Sequence, residues 1–139
     1  MKKQRKAMKM KRIEEHQEIF VVDTNNPELR WEENPAGGAL NLISSSGLMK
    51  LIHNCTYKIV EPLETPDTIF VVVESSIKHC SSAEIGVDVR IECEVTMTEK
   101  GTFSFKGKVF QEQRLVAVFS TVRQAVTLEY LGRKLSEET

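Results

Sequence analysis

No stretch of this sequence is apolar for long enough to cross a membrane, which takes about 20 such residues. The N-terminus also lacks the apolar core that follows the charges of a secretory signal. Together these absences predict a soluble, cytoplasmic protein. Metal-ligand spacing is missing too: Cys55, Cys80 and Cys93 stand far apart, with no CxxC pair and no His-rich tract. An odd number of isolated cysteines, in segments that read as core helix or strand, fits reduced and buried thiols. Positive charge is scarce outside one end. The net charge is -1, but Lys2, Lys3, Arg5, Lys6, Lys9, Lys11 and Arg12 place seven of the nineteen basic residues in the first twelve positions. The rest carries twelve basic against twenty acidic residues, a poor balance for gripping a phosphate backbone, so nucleic acid is not an expected partner.

With 139 residues, 40% of them hydrophobic, the chain is expected to form one domain over residues 17–131. Such a domain buries roughly two thirds of the surface its unfolded form exposes. Residues 1–16 read as a basic tail or frayed helix, either solvated or docked electrostatically on an acidic partner, a membrane surface or nucleic acid. Residues 132–139 read as a polar C-terminal tail.

The present features centre on Asn41–Val60, NLISSSGLMKLIHNCTYKIV. Leu48, Ile52, Cys55 and Ile59 recur at steps of four, three and four, with Leu51 and Val60 widening the stripe, which predicts a long helix with one apolar face. Ser44, Ser45 and Ser46 suit a cap or first turn, so the regular helix is expected to begin among them. Pro62 and Pro66 end it. Before it, Glu18–Asp23 reads as a strand, and the Trp31, Pro35, Gly37 and Gly38 region as a loop or broken turn. The glycine pair serves either a tight turn or a close backbone approach to a ligand.

After the helix the pattern changes to period two. Thr68–Lys78 is a β-branched run expected to be a mostly buried strand. Val87–Met97 alternates apolar with polar throughout, Thr102–Phe110 repeats this, and Leu115–Leu128 is a last long strand. One apolar helix followed by strands predicts α+β, with a meander curled around the helix and open sheet edges that a second subunit would cover.

Two short motifs, LISSSGLMKLIHNC and IKHCSSAEIG, set Ser45, His53, His79 and Gly86 at intervals of eight, 26 and seven residues. With this element order the chain resembles the hotdog-fold acyl-CoA thioesterase superfamily, in which a long central helix is wrapped by a curved antiparallel sheet. It is most similar to the fluoroacetyl-CoA thioesterase type, where Thr, Glu, His and Gly stand at these intervals. The resemblance covers about Phe20 to Leu128.

The resemblance implies a homodimer, or a higher oligomer, that hydrolyses an acyl-CoA thioester at the subunit interface. It places Ser45 at the family's hydroxyl, His79 at its His and His53 at its carboxylate. No Asp or Glu occurs between Glu33 and Glu61, so a carboxylate in this role has to come from elsewhere, such as Glu33, Glu74 or Glu84. The reading is of Ser45, His53 and His79 as catalytic candidates, and of Ser44, Ser46, Gly47, Gly86 and Arg123 as substrate-binding ones. Each has a structural counterpart: a serine here caps a helix, His53 sits in a core or interface, and Arg123 makes a cross-strand ion pair rather than meeting an acyl or phosphate group. The N–H groups at the helix head suit a thioester oxyanion. No metal or redox cofactor is expected, with the CoA thioester as substrate or ligand. The alternative is a non-catalytic protein that binds acyl-CoA and has lost the helix carboxylate.

Overall fold

The apolar stripe of Asn41–Val60 becomes the central helix of the fold, seen in a computed structural model that describes residues 14–138. This helix, α2, spans Ser45–Val60, and it buries Leu48, Leu51, Ile52, Cys55 and Val60. Each such side chain contributes roughly 1.5–3 kcal/mol when fully buried. Pro62 falls in a 3-10 turn, Glu61–Leu63, directly after it, where its ring and missing N–H stop the α-helical ladder.

Five antiparallel strands wrap the buried face: β1 (Glu14–Val22), β2 (Thr68–His79), β3 (Val89–Met97), β4 (Thr102–Gln111) and β5 (Arg114–Thr127). The alternation predicted for β3 is observed, with Val89, Ile91, Cys93 and Val95 buried under the helix. Phe103 stacks on Phe105 and meets Phe70 edge-on, centroids 6.1 and 5.3 Å apart. Gly107 lets the sheet bend tightly, since a Cβ there would lie 2.0 Å from the Glu92 carbonyl oxygen. The α+β architecture and curved sheet are therefore as the sequence predicts.

Several boundaries differ. The strand order is β1-β3-β4-β5-β2, so only β3 to β5 form the expected meander, and β2 pairs with β5 at the far edge. An edge strand is also less covered than the expected mostly buried one. Only Phe70 of β2 is fully buried, and Val73, at the register shift between Val72 and Glu74, is 59% exposed. Glu14 to His16 belong to β1, because pairing with β3 continues out to Glu14 opposite Met97. The basic run of the first twelve positions lies outside the described residues. The C-terminal segment is a helix, Leu128–Glu138 (α3), rather than a tail beginning at Gly132. Thr127 Oγ accepts the Tyr130 N–H at its start, and Lys134 pairs with Glu137 along it. Cys55 and Cys93 are buried, but Cys80 lies one residue beyond β2 and is exposed. Burial raises both buried thiols, Cys55 to about 11 and Cys93 to about 12. Among the described residues no helix is long and apolar enough to cross a membrane.

Candidate active site

Ser44 resolves the competition among the three serines. Its backbone is extended and its Oγ accepts the Gly47 N–H at 2.9 Å, which makes it the N-cap. Its own N–H donates to the Leu29 carbonyl. Gly47 is required for this packing, because a Cβ would lie 2.5 Å from that same carbonyl oxygen. With Ser44 holding the cap, Ser45 is released to the other side. Its Oγ lies 2.9 Å from His79 Nδ1.

The two elements that carry this pair are fixed independently. Ile43 N–H donates to the Ala83 carbonyl and Trp31 N–H to the Leu42 carbonyl, so the approach to α2 is stitched on both sides. His79 ends β2 opposite Ala117. Beyond it, the Cys80 and Ser81 N–H groups both donate to the Val116 carbonyl, at 2.7 and 3.2 Å. Gly37 packs flat on the Trp31 indole, where a Cβ would come within 2.2 Å of the ring. The close approach considered for the glycine pair is thus to a tryptophan of the chain itself.

Ser45 and His79 are exposed and face a cleft of about 450 Å³, which Trp31, Glu33, Ser46 and Cys80 also line. The first intrahelical bond runs from Leu48 N–H to the Ser44 carbonyl. The Ser45 and Ser46 N–H groups therefore precede the hydrogen-bonded ladder and carry the positive end of the helix dipole into the cleft. An imidazole, a hydroxyl and two such amides together can move a proton and hold an oxyanion.

His53 is separate from this group. Its Nε2 lies 2.9 Å from Ser75 Oγ, and Ser75 Oγ in turn contacts Thr121 Oγ1 and Met49 Sδ, each at 3.1 Å. Burial, and then the charge of Arg123, lower its pKa from 6.5, so the ring stays neutral at pH 7. It lines an adjoining hollow with Met49, Lys50 and Asn54, and Ser45 and Ser46 border both spaces.

Arg123 and Gly86 line neither space. Arg123 is 5% exposed, and its Nε and Nη2 donate to Thr56 Oγ1 and to the His53 carbonyl. It stands 5.5 Å over the Tyr57 ring. Tyr57 and the Phe70 N–H both donate to the Glu64 carboxylate, and these bonds hold Glu64 below the usual carboxylate range. In place of the expected ion pair or ligand contact, Arg123 clamps the back of α2 to β5. Gly86 has a φ of +96° and donates its N–H to Thr24 Oγ1. It shapes the turn ahead of β3, which Gln111 also holds through the Glu84 and Val87 carbonyls.

Sequence spacing aligned Ser45 with His79, but of the three carboxylates it left open, Glu33, Glu74 and Glu84, it did not single out Glu33, the one that lines the cleft. The nearest signal was the polar segment between Trp31 and Pro35, whose fold-back onto α2 depends on bridges from Arg30 to Ile43 and Leu42 to Glu84.

A hot-dog-like protein from Thermanaerovibrio acidaminovorans superposes with a TM-score of 0.75 at 16% identity, covering 88% of this chain and 90% of that one. A thioesterase superfamily member from Thermus thermophilus gives 0.67 at 18%, covering 90% and 93%. A variant of the fluoroacetyl-CoA thioesterase FlK, solved in complex with acetyl-CoA, gives 0.68 at 17%, covering 91% and 96%. None of the curated protein sequences matches the chain. The sequence profile of FlK, the fluoroacetyl-CoA-specific thioesterase, matches residues 26–129, which span α2, both motifs and all of β2 to β5. The chain belongs to the fluoroacetyl-CoA-specific thioesterase family.

Proposed function

We propose that this protein hydrolyses a short acyl-CoA thioester, and the observation that carries this is the Ser45–His79 hydrogen bond at the head of α2. His79 Nδ1 serves as general base for the Ser45 hydroxyl, or for a water that Ser45 positions. As the new C–O bond forms, the carbonyl oxygen takes negative charge and turns to the Ser45 and Ser46 amides. The C–S bond then breaks, and the thiolate of CoA leaves with the proton from His79. If Ser45 has been acylated, water releases the acid by the same base. The chemistry calls for no metal or redox cofactor. The acetyl-CoA complex of the structural relative supports a CoA ligand.

A homodimer fits this reading, since among the described residues β2 pairs with β5 alone and its outer edge carries no strand. His79 ends that strand, so a second copy paired there would border the cleft. The test is thiol release from a panel of acyl-CoAs by wild type and His79→Ala. Equal rates in the two proteins would overturn the role of His79.

One observation favours a second reading, in which acyl-CoA binds without turnover. Among the described residues, no carboxylate is hydrogen-bonded to His79, and the family's carboxylate position holds the neutral His53. A rise in melting temperature with acyl-CoA but no released thiol selects this alternative.

A further inference from the structure

Helix α2 carries no Asp or Glu. Among the described residues lining the Ser45–His79 cleft, Glu33 is the one carboxylate. We propose that Glu33 is the positioning residue for His79, its carboxylate turning across the cleft to accept the Nε2–H. The proposal rests on the hydrolytic reading of the cleft.

Tautomer chemistry sets the requirement. If His79 Nδ1 is to take a proton from Ser45, the neutral ring carries its own proton on Nε2. A base of this kind gains strength when that second proton is held by an anion, which also stabilises the imidazolium formed in the reaction. Three titratable groups line the cleft: His79, Cys80 and Glu33. Of these Glu33 is the one whose side chain can accept the Nε2–H through a carboxylate oxygen. Lys50 and the neutral His53 face the adjoining hollow, and Lys78 precedes His79 on β2.

The loop that carries Glu33 is held at both ends. On one side, Trp31 is bonded to Leu42 and packed on Gly37. On the other, Asn34 Oδ1 accepts the Ala36 and Gly37 N–H groups at 2.9 and 3.1 Å, starting the short helix Pro35–Gly38, α1. Glu33 lies between these fixed points, on the wall of the cleft that the head of α2 also lines. Glu74 and Glu84 do not line the cleft. Glu74 follows the β2 bulge, and Glu84 is bound through its backbone to Gln111.

The experiment follows the imidazole resonance of His79 through a pH titration in wild type, Glu33→Gln and the control Glu84→Gln, with His79→Gln identifying the signal. Thiol release from acetyl-CoA is measured in parallel. Glu33→Gln is expected to lower the His79 pKa by about half a unit or more and to reduce kcat ~10-fold or more with KM little changed. Glu84→Gln is expected to do neither. A His79 titration identical in Glu33→Gln and wild type overturns the pairing whatever the activity. A shifted titration in a wild type that releases no thiol supports the pair and overturns hydrolysis instead.

Discussion

Two imidazole–serine pairs occur along α2, each with a nitrogen-to-oxygen distance of 2.9 Å, and their surroundings give them opposite characters. The Ser45–His79 pair opens on a cleft, beside amides that the helix ladder does not use. The His53–Ser75 pair borders the adjoining hollow and is backed by buried Thr121 and Arg123. In the second, Ser75 is already engaged by Thr121 and Met49, and desolvation keeps the ring uncharged. The contact is common to both, so what separates the two pairs is what lies beside them, unused helix amides in one case and an occupied hydroxyl backed by a buried guanidinium in the other.

The most direct way to break this distinction is to alter each histidine. His79→Ala is expected to lower kcat for thioester hydrolysis ~10²- to 10⁴-fold. His53→Gln, whose amide can still meet Ser75, is expected to keep kcat within about threefold. Steady-state thiol release decides, and comparable losses would erase the difference. Arg123→Leu tests the buried support behind the second pair. It strips partners from Thr56 and the His53 carbonyl and is expected to cost ~2–4 kcal/mol in urea unfolding.

Gly47→Ala links the two regions. The added Cβ meets the Leu29 carbonyl oxygen, so the head of α2 must shift, and a loss of ~1–3 kcal/mol is expected in the same unfolding experiment. A smaller effect concerns pH. His53 has a lowered pKa in the fold, so the unfolded chain binds more protons in the interval below 6.5. This contribution is complete above about 6.5 and is lost as pH falls toward the folded value. Urea midpoints measured between pH 7.5 and 5 should decline less steeply in His53→Gln than in wild type, and equal slopes would remove His53 as the source.

Local regularity explains what the sequence disclosed. The steps of four, three and four through Leu48, Ile52, Cys55 and Ile59 define a helix face without reference to the rest of the chain, and the alternation of β3 does the same for a sheet. The interval from Ser45 to His79 was informative because a family pattern stood behind it. Strand order was not legible, since β2 carries the same β-branched composition whether it lies beside β3 or at the far edge. Arg123 shows a related difficulty: alternation gives its face, but not that Thr56 and the His53 carbonyl will enclose it. The helical form of Leu128–Glu138 was obscured by its polar composition and Gly132. Glu33 depends on loop bridges to α2, which have no periodicity to read.

The segment after His79 has a kinetic meaning. The Val116 carbonyl receives two successive N–H groups from Cys80 and Ser81, and Ser81 Oγ donates to the Leu115 carbonyl at 2.7 Å. This double tether restrains the backbone behind the imidazole, so in the proposed reaction a thioester would meet a base whose main chain is already in place. The loss of freedom needed to align it would occur once, as the protein folds, and not again with each turnover.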